Sequence, residues 1–173
     1  MKTHRVITII GWLVSGILLF LWQEKYLPFH YEYIEQFRLF HYSADYFIEH
    51  CSYPSGIIEY LGSFLIQFFN QPHVGAGIVT ILLLSVGIGI QQIFKRIASH
   101  VDMPLAYLLP TLFLLFAGMD INYHLEGTLA FALSVWFLNI QVSFVRPVHR
   151  MISGVLLSWA LYYLAGPAFA LFA

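Results

Sequence analysis

Charge is scarce in this sequence. Its 173 residues hold 8 lysines and arginines and 9 aspartates and glutamates, so only 10% are charged. Soluble domains carry about 25%. A chain this short encloses little interior. With 60% of its residues hydrophobic, a soluble fold would leave most of that surface in water, which points to lipid as the solvent. An excess of positive charge is also missing. The formal net charge is −1, and nucleic-acid binding needs a basic face, so that class is excluded. Cys51 is the single cysteine, which excludes an internal disulfide and any zinc-type Cys/His spacing. No G-x-G-x-x-G or Walker pattern is present. There is no Ser/His/Asp arrangement, internal repeat or low-complexity tract.

What is abundant is long apolar sequence. Five runs, residues 6–22, 74–94, 104–119, 127–145 and 151–173, approach the roughly 20 residues a helix needs to cross the hydrocarbon core. Lys2, His4 and Arg5 precede the first run, as in a signal peptide. The sequence from Leu18 to Gln23 has no small-x-small cleavage site, so the run reads as an uncleaved signal anchor. The third run is the shortest and contains Pro110, which a span tolerates when neighbouring helices satisfy the freed carbonyl. The expected fold is an all-α polytopic transmembrane bundle of about five spans. Gly75, Gly77, Gly87 and Gly89 are expected to let helices pack closely. The last run stops at Phe172-Ala173 without a polar flank. We therefore expect a single membrane domain that is the N-terminal portion of a longer protein.

Basic charge sets the orientation. With the N-terminus in the cytoplasm, the inner segments hold Lys2, Arg5, Lys95, Arg96, Arg146 and Arg150, and the outer segments only Lys25 and Arg38. This asymmetry is what the positive-inside rule requires. Of the acids, only Asp102 falls inside.

The first outer segment, residues 23–71, is too long for a turn and too aromatic for a solvated loop. It carries Tyr26, Tyr31, Tyr33, Tyr42, Tyr46, Tyr53 and Tyr60, seven of the 11 tyrosines, a type that favours the membrane–water interface. At 100° per residue, residues 31–50 form one amphipathic helix. Ile34, Phe37, Phe40, Ala44, Phe47 and Ile48 fall on one face, and Glu32, Glu35, Gln36, Ser43, Glu49 and His50 on the other. Such a helix lies in the interface plane. Pro28 marks its start and residues 52–56 its end. A second helix is expected over about 56–69, with Ser55 as N-cap and Glu59 in the first turn. Glu59, Ser63 and Gln67 recur every fourth residue on this otherwise apolar helix. A stripe of that kind faces protein or a wet cavity.

Candidate chemistry follows from these patterns. Arg38, Asp45 and Glu49 share a sector of the first helix, with His41 at its border. Asp45 and Glu49 repel each other by a few tenths of a kcal/mol at i, i+4. Arg38, a bound cation or a raised carboxyl pKa would compensate. One reading makes Asp45, Glu49, Glu35 or Glu59 a general base, or a ligand with His41 for a divalent metal; the other makes the sector a solvated polar face. Arg38, Ser63 and Gln67 are candidate substrate-binding residues, or helix–helix hydrogen-bonding groups. Asp120 and His124, with Glu126 nearby, are candidate metal ligands if their connection is helical; a short polar loop is the alternative. His30, His73, His100 and His149 lack partners at helical spacing.

Residues 29–69 read FHYEYIEQFRLFHYSADYFIEHCSYPSGIIEYLGSFLIQFF. Through His30-Tyr31, Glu35-Gln36, Asp45-Tyr46-Phe47, Tyr60-Leu61-Gly62 and Phe64-Leu65-x-Gln67-Phe68-Phe69, this stretch resembles the N-terminal region of an uncharacterised family of multi-pass inner-membrane proteins from Bacteroides-type bacteria. YLAGP at 163–167 is similar as well. Family members read Pro-Gly-Gly where this chain reads Pro54-Ser55-Gly56. The resemblance implies a bacterial inner-membrane setting and no assigned activity. The architecture of one span followed by a long acidic outer segment is also similar to GT-C-type glycosyltransferases, which use a loop carboxylate and a lipid-linked sugar. Here Glu24 stands beside Lys25 where a tidy acidic pair would follow the span. The expected function is a membrane protein whose outer helices form an interaction or substrate surface, for a membrane-protein partner or a lipid-linked substrate. A GT-C-like transferase and a transporter or channel subunit are the alternatives.

Overall fold

The computed structural model describes residues 2–97 and 104–171, with side chains for 6–97, 107–168 and 170. His100, Asp102 and the Phe172-Ala173 end lie outside the described residues. Every described element is helical: α1 (Lys2–Tyr26), α2 (Pro28–Gln36), α3 (Ala44–Cys51), α4 (Gly56–Ile66), α5 (Pro72–Ile97), α6 (Pro104–Ala117), α7 (Leu125–Ser143) and α8 (Pro147–Ala165), with 3-10 turns at Gln67–Asn70 and Gly166–Leu171. Pro28, Pro72, Pro104 and Pro147 each open a helix, where the missing N–H costs nothing and the fixed φ suits the first turn.

The chain is a polytopic helical bundle. Among the described residues, four helical stretches are long and apolar enough to cross a membrane: Val6–Tyr26, Pro72–Ile97, Leu125–Ser143 and Pro147–Ala168. The apolar run expected as the third span forms α6, whose 14 residues reach about 21 Å at 1.5 Å per residue. That is short of the roughly 30 Å hydrocarbon core. The last run also departs from one continuous helix: α8 stops at Ala165, and Gly166, at φ 56°, turns the chain back. The 3-10 turn that follows packs on α7 and α8.

Helix α5 is central, touching α1, α2, α6 and α7. Its glycines make this possible. A Cβ on Gly87 would stand 2.5 Å from the Trp12 ring, and one on Gly89 would stand 2.6 Å from Val135. One core joins Leu83, Val86, Ile90, Leu114 and Val135. The outward faces are apolar too: Leu13 is 62% exposed on α1 and Trp159 71% on α8. Exposed apolar faces on such long helices are what lipid contact demands.

Helices α2–α4 form a cap on one end of this bundle. Tyr31, Ile66 and Phe69 from the cap bury against Ala76 of α5 and Leu125 of α7. Ile58 of α4 buries against Ala130, Leu161 and Ala165. The fully buried Gln23 ties the two parts together. It donates to Thr80 Oγ1 at 2.9 Å and accepts from the Tyr31 hydroxyl. His30 reaches the Gly118 carbonyl at 2.8 Å, and His73 pairs with Glu24 at 2.9 Å. Their partners are distant in sequence, which helical spacing does not reveal.

The cap corrects the expectation of one helix over 31–50. The helix breaks at residues 37–43, and the physical causes are visible. Ser43 is extended (φ −127°, ψ 150°), and its hydroxyl accepts the Tyr46 N–H at 3.2 Å, capping a new helix with Asp45 in its first turn. Phe40 is buried among Tyr42, Tyr46, Tyr60 and Phe64, with ring centroids 4.9–5.5 Å away. Offset and edge-on aromatic packing of this kind contributes about 0.5–1.5 kcal/mol per pair beyond burial, enough to outweigh the bonds of one helical turn. The continuous apolar face therefore does not exist. Phe40 points inward, while Phe37, Phe47 and Ile48 are exposed.

Candidate functional site

The break carries Arg38 away from Asp45 and Glu49 and onto α7. Its guanidinium pairs with the Glu126 carboxylate through Nη1, and Nη2 lies 2.9 Å from His124 Nδ1. A guanidinium only donates, so His124 Nδ1 accepts and its Nε2 carries the proton. The Arg38 carbonyl accepts from Gln67 Nε2 at 3.0 Å. Gln67 thus holds Arg38 in place from the end of α4. Glu126 is 8% exposed, and α4 lies so close that a Cβ on Gly62 would stand 2.7 Å from its Cγ. One Glu126 oxygen, Oε2, is buried without a partner among the described residues.

Glu59 lies on the same side of α4. Ser55 Oγ donates to Glu59 Oε1 at 2.6 Å, and the Tyr53 hydroxyl to Oε2 at 3.0 Å. Desolvation pushes the Tyr53 phenol up to about 12; its hydrogen bond to Glu59 and the charge of that carboxylate act in the same direction, with smaller contributions from Glu49 and Tyr46. Ser55 takes the expected N-cap position of α4. It is left-handed (φ 74°), and its side chain caps no backbone N–H, because its hydroxyl is turned to Glu59. Holding a non-glycine residue there costs about 1–2 kcal/mol. The elbow is held by Ser55 N–H donating to Tyr163 O at 3.1 Å and by Tyr163 hydroxyl donating to Cys51 O.

Between α4 and the start of α7 these residues line an open cleft of about 620 Å³, with Arg38, Glu126 and His124 on one side and Glu59, Ser63 and His50 on the other. His50 Nδ1 is 2.8 Å from the Tyr46 carbonyl and donates to it. Ser63 is 7% exposed, and its hydroxyl has no hydrogen bond among the described residues. A second cavity of about 310 Å³ shares Arg38, Asn122, Tyr123 and His124 with the first. Its other walls are largely apolar, including Tyr33, Phe37, Ile121 and Leu125.

Of the expected candidates, Arg38, Glu59, Ser63 and His124 meet at this cleft, and Gln67 supports it. Asp45 and Glu49 sit exposed on α3, and Glu35 is half-buried on α2; none of the three lines it. His41 is exposed and stacks edge-on to Tyr46. The connection between α6 and α7 is not helical, so Asp120 and His124 do not share a helix face. Asp120 accepts instead from the Asn122 backbone at 2.9 Å. Among the described residues, no three His, Cys, Asp or Glu side chains gather to hold a metal ion. His50, Tyr123 and the pairing role of Glu126 escaped the sequence. Only the Ser43-x-Asp45 cap pattern could have signalled the break that brings Arg38 to them.

A family model matches residues 3–173, and its description is a family of unknown function, DUF6057. Neither a curated protein nor a solved structure matches the chain.

Proposed function

The chain belongs to DUF6057, a family of unknown function, and from its geometry we propose that it is a bacterial inner-membrane protein that binds the polar part of an amphiphilic substrate in the cleft between cap and bundle. The N-terminus is cytoplasmic in this reading and the cleft faces outward, in keeping with the six basic residues of the inner segments. The observation that carries the proposal is the cleft itself. Ser63, the Glu59 carboxylate and the Arg38–Glu126 pair line one cavity, and a second cavity, whose unshared walls are apolar, adjoins it through Arg38 and Tyr123. Ligand sites characteristically combine apolar walls with a few placed polar groups. The arrangement supports binding over glycosyl transfer or transport. The Arg38 guanidinium in the cleft is already paired, and Gln67 of the polar stripe is committed to the Arg38 backbone.

The test is native mass spectrometry of the full chain extracted from its membrane in mild detergent. A bound amphiphile is expected at one per chain, and Ser63→Phe, which fills the cleft, is expected to remove it while the protein accumulates to a similar level. Equal ligand occupancy in the two proteins would rule the reading out.

A further inference from the structure

The free valences of the cleft have a sign. Arg38 is spent, with one nitrogen on Glu126 and the other on His124. One arginine against two carboxylates leaves the lining with a net negative charge when both histidines are neutral. Glu59 receives two hydroxyl donors, yet a carboxylate has about four acceptor positions. His50 Nδ1 is committed to the Tyr46 carbonyl, so Nε2 is its open position, an acceptor when the ring is neutral. Ser63, a residue only 7% exposed, adds a hydroxyl without a hydrogen bond among the described residues.

The groups open to a ligand are therefore mainly acceptors around uncompensated negative charge. A primary ammonium brings three donors, one positive charge and no acceptor, and so matches Glu59, His50 and Ser63 together. A phosphate would face Glu59 with no free guanidinium to receive it, and like charges brought together at an interface are disfavoured. The adjoining cavity walled by Tyr33, Phe37, Ile121 and Leu125 is placed to take an apolar tail. We propose that the ligand is a cationic amphiphile whose primary ammonium sits between Glu59, His50 and Ser63. The proposal rests on the cleft being a binding site.

The experiment titrates the full chain, in a neutral detergent, with dodecylamine, dodecyl glucoside and dodecyl phosphate, and reads occupancy by native mass spectrometry. Dodecylamine is expected to saturate one site about tenfold more tightly than dodecyl phosphate, the scale of one partly screened charge contact. Glu59→Gln, which keeps the shape and removes the charge, is expected to bring the two within about twofold. Tighter binding of the phosphate or the glucoside overturns the cationic assignment and leaves the cleft a binding site. So does a preference that survives Glu59→Gln. If none of the three saturates, or Ser63→Phe leaves binding unchanged, the cleft reading falls with it. Should Glu59→Gln fail to accumulate, the order of the three headgroups on the unaltered chain decides.

Discussion

The cap and the spanning bundle are packed by different means. In the bundle, large side chains meet small residues: Gly87 and Gly89 of α5 receive Trp12 and Val135. In the cap, rings meet rings around Phe40, and chain direction is set by polar contacts such as Gln67 to the Arg38 carbonyl. The contrast has a physical origin. Helices in lipid gain little from burying apolar surface, so they associate through close van der Waals contact. In the cap, polar groups are more frequent, so aromatic residues with polar tips and enclosed ion pairs specify a geometry. A bundle contact can relax by moving a side chain, whereas a cap contact moves backbone or strands a charge.

That difference can be broken by experiment, and the largest effect is expected at the cap's elbow. A Cβ on Gly56 would lie 1.8 Å from the His50 carbonyl oxygen, which is backbone and cannot swing away. Gly56→Ala should cost about 3 kcal/mol or more and sharply reduce the folded fraction in thermal melts followed by tryptophan fluorescence. A melting point close to that of the parent chain would show that the elbow is soft.

Arg38→Ala comes next. It leaves Glu126, whose side chain is 10% exposed, buried without its counter-charge. Breaking such a pair costs about 3–5 kcal/mol when it is fully buried, and about 2–4 kcal/mol is expected here because Arg38 is 27% exposed. The double variant Arg38→Met/Glu126→Met should recover most of the loss, since an apolar pair strands no charge. A double-mutant cycle with no coupling would remove the pair from any account of the cap.

The smallest effects belong to the bundle. Gly89→Ala meets only side chains, tightly Val135 and more loosely Asn139 and Trp136, and should cost about 1–2 kcal/mol. Gly11 has nothing within 4 Å of its Cβ position, so Gly11→Ala should leave stability unchanged or raise it by up to about 1 kcal/mol. Equal losses at both glycines would contradict the placement of α1 at the edge.

Much of the bundle was legible beforehand. Most spans follow from sums over neighbouring residues, the apolar runs, and Pro28 marks a helix start. The close packing at Gly87 and Gly89 was legible too, because small residues on a span have few other uses. Which helix is central was not. Val6–Tyr26 and Pro72–Ile97 have mean hydropathies of 2.0 and 2.1, yet their apolar windows are 11% and 39% buried. Hydropathy measures the transfer of a segment to an apolar phase and is blind to whether lipid or protein supplies it.

The site was legible only in part. The Glu59–Ser63–Gln67 stripe identified α4 as a helix with a polar face, and Arg38 and His124 were already singled out. Their meeting was not readable, because Arg38 and Glu126 are 88 residues apart and join only once the helix expected over 31–50 is broken. By itself the sequence determined a helical membrane protein with an aromatic, helical segment after its first span, since hydropathy, proline position and capping chemistry are local. Tertiary structure decided that Phe40 turns inward, that Arg38 neutralises Glu126, and that Glu59 is left as the unpaired charge of a cleft. Those outcomes depend on which surfaces meet across the fold, and no periodicity within one segment encodes the far side of a contact.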